Sequence, residues 1–234
     1  MSDVFFAQTR NVRGLTSAVK NLDRLINAGL IKRDESQVAI LTKLLCVTFN
    51  FWAEARFSKL IHTPYGFSDT ERRQIRFDSN GRERSVESRW AKCIATALSK
   101  VPRSRRTSEI PNCRQRLERI VQDVVIAPSK MRNKIAHGQW EIALNAEHTA
   151  TNDIVSAQIR DVDCITIGTW FDVFEHLAQI VENAIESPTK THRRDYWQHI
   201  VEIETILENR KKMTVREKQA RLIAAKQRAK AKWL

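Results

Sequence analysis

Cysteine is scarce and scattered in this sequence. Cys46, Cys93, Cys113 and Cys164 form no CxxC pair, and none has a histidine at ligand spacing. That pattern excludes a disulfide framework or a cysteine-based zinc site, both of which need thiols at characteristic separations. The four read as small core residues in a reducing compartment. Long apolar runs are also missing. The most apolar stretch, VAILTKLLCVTFNFW, is broken by Thr42, Lys43, Thr48 and Asn50, and it falls short of the roughly 20 residues that cross a bilayer. No membrane span is expected. The start, MSDVFFAQTR, lacks the basic segment, apolar stretch and small-residue cleavage site of a signal peptide, which predicts a cytoplasmic protein. No internal repeat is visible, which excludes a solenoid.

Acidic residues are the other shortage: 27 Asp and Glu face 40 Lys and Arg, for a net charge of +13. Such an excess makes a polyanion the leading partner, because Lys and Arg neutralise phosphates and release counterions. The charge is unevenly placed. Residues 210–234 carry ten basic side chains against Glu217 alone, so +9 of the +13 sits in the tail and +4 in the body. With 234 residues and 42% apolar content, the composition is that of one soluble globular domain. The expected organisation is a helical domain over 1–209, its core at about 12–187, followed by a basic helix or arm over 210–234.

Periodicity predicts a mainly all-α fold. Leu15, Val19, Leu22, Leu25 and Ile26 recur at helical spacing over about three turns, with Gly29 placed as a C-cap. Asp34 then caps what should be the longest helix, carrying Val38, Leu41, Leu45, Phe49 and Trp52 towards Ile61. The arginine-rich stretch between Gly66 and Ser85 reads as a long loop or irregular hairpin. Helical spacing resumes from Val86 to Val101, then from Asn112 to Val125, where Pro128 interrupts it and Ser129 offers a fresh cap. After Gly138 the period changes to two: Trp140, Ile142 and Leu144, then Val155, Ala157 and Ile159, which predicts a small β-hairpin. Helices return from Trp170 to Ile185 and from Trp197 to Leu207, and TVRE is a capping box opening a basic terminal helix. The tryptophans fall on apolar stripes or strand positions and are expected in the core.

One short cluster stands apart. In APSKMRNKIAHGQW, Asn133 and His137 lie four residues apart on one helix face, while Arg132 points about 100° away with the reach to swing back. The glycine that follows puts His137 at a helix end beside a turn, a place partly open to a ligand.

RNKIAH resembles the signature of the HEPN superfamily: an arginine, usually a polar residue after it, and a histidine following a gap of four to six residues. Outside that motif the likeness is one of helix order, over about residues 12–187. The resemblance implies a helical bundle that dimerises with both motifs at the interface. In active members it implies a metal-independent endoribonuclease, here in prokaryotic defence or a toxin system, with an antitoxin or defence partner protein as a further expected contact. The side chains suit that chemistry. RNA cleavage without metal needs a proton carrier, a cation for the developing phosphorane charge, and the 2′-OH as internal nucleophile. His137 fits the first role, since an unperturbed imidazole titrates near 6.5. Arg132 fits the second through its planar fork, and Asn133 would orient the phosphate. One chain supplies one imidazole where a base and an acid are wanted, and a symmetric homodimer supplies two.

The expected RNA-contacting residues are Lys134, Arg72, Arg73 and Arg76, and the connector residues Arg103, Arg105 and Arg106. Asn50 and Glu54, on the polar side of NFWAEARF, are expected to support the cleft. The remaining histidines, His62, His148, His176, His192 and His199, have no partner at ligand spacing and read as surface or packed residues. No metal or cofactor is expected. The rival readings are a non-catalytic RNA-binding module and a HEPN-type surface that docks a partner such as a nucleotidyltransferase antitoxin.

Overall fold

The computed structural model describes residues 3–102 and 109–231. α1 (Asp3–Lys32) and α2 (Glu35–Ile61) form an antiparallel hairpin. α1 is the longer, 30 residues against 27, because nothing in its polar first half breaks a helix and α2 gives it a surface to follow. Trp52 Nε1 donates to Thr16 Oγ1 at 3.2 Å, and Lys59 sits 5.5 Å over the Phe5 ring. The C-cap lies beyond Gly29. Arg33 takes the left-handed conformation (φ 60°), its N–H donates to Leu30 O and the Asp34 N–H to Gly29 O, closing a Schellman turn. Gly29 serves the approach of α2 instead, since a Cβ there would lie 2.9 Å from Val38 Cγ2.

α2 is the spine of the bundle. By length and hydropathy it is apolar enough to cross a membrane, contrary to the sequence expectation, yet in the fold it is a core helix. Phe49 and Trp52 bury against Phe171 at 4.8 Å, and Trp90 meets Phe57 and Phe174 at 4.7 and 5.4 Å. It also carries Arg56, 5% exposed, whose Nη1 and Nη2 donate to the Glu182 carboxylate at 2.7 and 2.9 Å and whose Nε donates to Glu175 at 3.2 Å. Both carboxylates belong to α8 (Cys164–Glu186), so a bidentate pair ties the spine to that helix.

Between them the chain departs from expectation in three places. The arginine-rich segment contains α3 (Asp69–Arg76), started by a Ser68–Glu71 capping box and seated by the buried Ile75. An isolated bridge, Phe77 to Glu83, follows. After α4 (Val86–Ser99), α5 (Glu109–Val121) does not stop at Pro128. It passes through a π-helical turn, Gln122–Ile126, into α6 (Ala127–Ala136). Pro128 has no N–H for the Val124 carbonyl, and the wider turn before it absorbs that mismatch.

The expected β-hairpin does not form. Among the described residues the 138–152 segment holds turns and one isolated bridge, Leu144 to Thr151, while Val155, Ala157 and Ile159 lie in α7 (Asp153–Asp161). Asn152 caps that helix by accepting the Val155 N–H at 3.1 Å, and Ser156 and Ile159, three apart, turn to the core. A cap and a helical pair outweighed the alternation. α8 and α9 (Thr191–Lys211) then pack as a second antiparallel hairpin. α10 (Val215–Ala231), opened by the Thr214–Glu217 capping box, folds back on α1, where Gln219 Nε2 donates to Leu30 O at 2.7 Å.

Arg56→Ala strands two carboxylates at the α2–α8 contact. Urea unfolding should show a loss of about 3–5 kcal/mol, with the double variant Arg56→Met/Glu182→Leu recovering much of it.

Candidate functional site

The polar cluster sits where α6 crosses α2. Asn50, 5% exposed, donates from Nδ2 to Cys46 O at 2.8 Å within its own helix and to Pro128 O at 3.3 Å on α6. One buried amide therefore fixes the register of α6 on the spine. Met131 and Ile135, four apart and buried, seat the inner face of α6. The geometry of a helix then sends Asn133 and His137 outward, and both are exposed.

α6 ends at His137, its C-cap (φ −92°, ψ 20°). The Gly138 N–H donates to Ile135 O at 3.0 Å and the Gln139 N–H to Lys134 O at 2.9 Å, with Gly138 at φ 81°. This is again a Schellman turn, and its left-handed position is the reason for the glycine. It holds the imidazole at the rim, one turn beyond Asn133.

Arg132 faces α2. Its Nη2 forms an ion pair with Glu54, the two side chains being 22% and 50% exposed, and its guanidinium lies 5.9 Å over the Phe51 ring. Arg132 Nε is buried with no hydrogen-bond partner among the described residues. Asn50 and Glu54 thus touch α6 in different ways, one as a buried anchor and one as a charge partner. No hydrogen bond joins the side chains of Arg132, Asn133 and His137 among the described residues.

Lys134 spends its ammonium on the loop, donating to Leu144 O at 2.5 Å. Arg72 is engaged too, through Phe67 O at 2.6 Å and Asp69. Arg73 is exposed on α3. Arg76 lines a cavity of about 290 Å³ that also contacts Glu54. Phe57 and Trp90 give that cavity an apolar floor, and His62, Arg76 and Arg89 give it a polar wall. Burial pushes the His62 imidazole below its usual value, Arg72 and Arg76 add in the same direction, and its Nδ1 bonds Ser58 O at 2.8 Å. A neutral ring with Nε2 as acceptor results. No sequence signal marked His62, because the arginines that surround it follow more than nine positions later. Arg103, Arg105 and Arg106 lie outside the described residues.

The structure also joins side chains that looked isolated in the sequence. His176 on α8 meets His199 and Glu202 on α9, the last two spaced i, i+3. The HxxE spacing of His199 and Glu202 was passed over in the sequence, and the partner across the helix pair has no signal along the chain.

No family model, curated protein or solved structure matches this chain.

Asn50→Ala removes the amide and leaves the Pro128 carbonyl buried without its donor, so urea denaturation should show a loss of about 1–3 kcal/mol. Glu54→Gln, at a half-exposed pair, should change stability by less than about 1 kcal/mol.

Proposed function

We propose that this chain is a HEPN-type endoribonuclease that cuts RNA without a metal ion, working as a homodimer in the cytoplasm. The observation that carries the reading is the placement of Asn133 and His137 on the outward face at the end of α6, with Arg132 beside them against Glu54 of α2, on a helix whose register a buried amide fixes. A dimer is supported by the surface beside them. Ile40, Leu44 and Phe51 form an exposed apolar row on α2, ending at Glu54 beneath Arg132. Single exposed apolar residues are ordinary; a row next to a polar cluster suits a twofold contact.

In the proposed reaction, His137 of one protomer takes the proton from the ribose 2′-OH, and the 2′ oxygen attacks the adjacent phosphorus. The bond from phosphorus to the 5′ oxygen breaks as the second His137 delivers a proton to that oxygen. The products are a 2′,3′-cyclic phosphate and a 5′-hydroxyl. The two Arg132 side chains leave Glu54 for the non-bridging oxygens, where the charge develops. Asn133 orients the phosphate. Arg73, Arg76 and the cavity wall guide the strand, and the apolar floor beside two guanidiniums fits a base next to its phosphate. The roles in defence or a toxin system, and restraint by an antitoxin or other partner protein, rest on the family resemblance alone.

The Arg132–Glu54 ion pair favours a second reading, in which the guanidinium stays occupied and the chain binds RNA without cutting it. Purified protein with total RNA in EDTA separates the two. The enzyme reading expects new RNA ends, and Arg132→Ala and His137→Ala should each lower the rate by about 10²-fold or more with helicity and dimer retained. Cleavage that survives both substitutions, or that requires Mg²⁺, removes the mechanism; salt-sensitive retention of intact RNA supports the binder.

A further inference from the structure

We propose that His176, His199 and Glu202 bind a divalent first-row transition metal of the zinc class, which fastens α9 to α8. The site shares no residue with the RNA-cleaving proposal and does not depend on it.

The three ligand atoms converge from two helices. His176 Nδ1 lies 3.1 Å from His199 Nδ1 and 3.1 Å from Glu202 Oε2, and His199 Nδ1 lies 3.7 Å from the same oxygen. A tetrahedral zinc with bonds of roughly 2.0–2.2 Å separates its ligand atoms by about 3.3–3.6 Å, which falls between the observed edges. The spacing on each element follows from helix geometry. His199 and Glu202, three apart, share one face of α9, and α8 presents His176 opposite, the arrangement by which helix bundles build metal sites from facing helices.

Hydrogen bonding alone serves this triangle poorly. A neutral imidazole whose Nδ1 carries the proton can donate it once, yet His176 Nδ1 stands equally near an imidazole nitrogen and a carboxylate oxygen. A cation accepts all three lone pairs together. Two nitrogens and one oxygen select zinc, cobalt or nickel over magnesium or calcium, which prefer oxygen ligands. Asp172 and Asp195 stand one turn before His176 and His199 on the same helices, Asp195 holding Arg194. All three ligands are partly exposed, so a metal can enter and water can complete its coordination.

The test uses the full-length, tag-free protein after chelator treatment, titrated with ZnCl₂ by calorimetry and with CoCl₂ by visible absorption. The expected result is one metal per chain, cobalt bands of tetrahedral intensity, and a melting temperature several degrees higher with zinc. His176→Ala, His199→Ala and Glu202→Gln should each weaken binding by about 10-fold or more, while His148→Ala, in an exposed turn, should not. Glu202→Gln preserves side-chain size, so it reports on ligation even where a histidine variant misfolds. Wild-type protein that takes up no zinc, or uptake unchanged in Glu202→Gln and both histidine variants, overturns the proposal. RNA cleavage is indifferent to either outcome.

Discussion

The Asn50 amide is the contact on which the candidate site rests. It satisfies a carbonyl of its own helix and the Pro128 carbonyl at the start of α6, both inside the core. A buried amide that bonds two backbones specifies one register, because any slip leaves polar groups unpaired in a low-dielectric interior. One turn further along α2, the same face delivers Glu54 to Arg132. Two turns after Asn50 come Phe57 and Ser58, and with them the cavity that Arg76 and His62 line. A single helix therefore sets where the motif sits, what its arginine pairs with, and which pocket lies alongside.

On the proposed mechanism, that arrangement gives Arg132 two competing partners. Glu54 is half exposed, so its attraction for the guanidinium is screened by water and is modest. A phosphate at a closed dimer contact offers two oxygens to the planar fork in a drier setting. In the proposed mechanism the ion pair holds the arginine in position while RNA is absent and yields at small cost. Arg56 shows the contrast: bidentate and 5% exposed, it is structural and has no reason to move.

The sequence disclosed the helices whose apolar stripe is long: α2, α4 and α8 were legible in outline, and α9 in position, although Trp197 and Leu207 of its expected stripe, the former expected in the core, are exposed. It also disclosed the motif at a helix end, because Gly138 is a glycine for a reason a sequence can show. What it hid has physical causes. α3 carries only Ile75 inward, too little to make a period. α7 mimicked a strand since Val155, Ala157 and Ile159 alternate, and the decisive signals were the Asn152 cap and Ser156, whose hydroxyl accepts the Ala143 N–H at 2.9 Å. Pro128 looked like a stop because a π turn has no sequence signature. The His176, His199 and Glu202 cluster depends on two helices meeting, which no spacing along one chain discloses.

The most direct measurement of the central claim is the chemistry of the RNA ends. If two His137 imidazoles and the Arg132 pair cleave by attack of the neighbouring 2′-OH, fragments made in EDTA carry 2′,3′-cyclic phosphates and 5′-hydroxyls, and a 2′-deoxy nucleotide at the cut site blocks the reaction. Fragments with 5′-phosphates and 3′-hydroxyls, or cutting that ignores the missing 2′ oxygen, would contradict it.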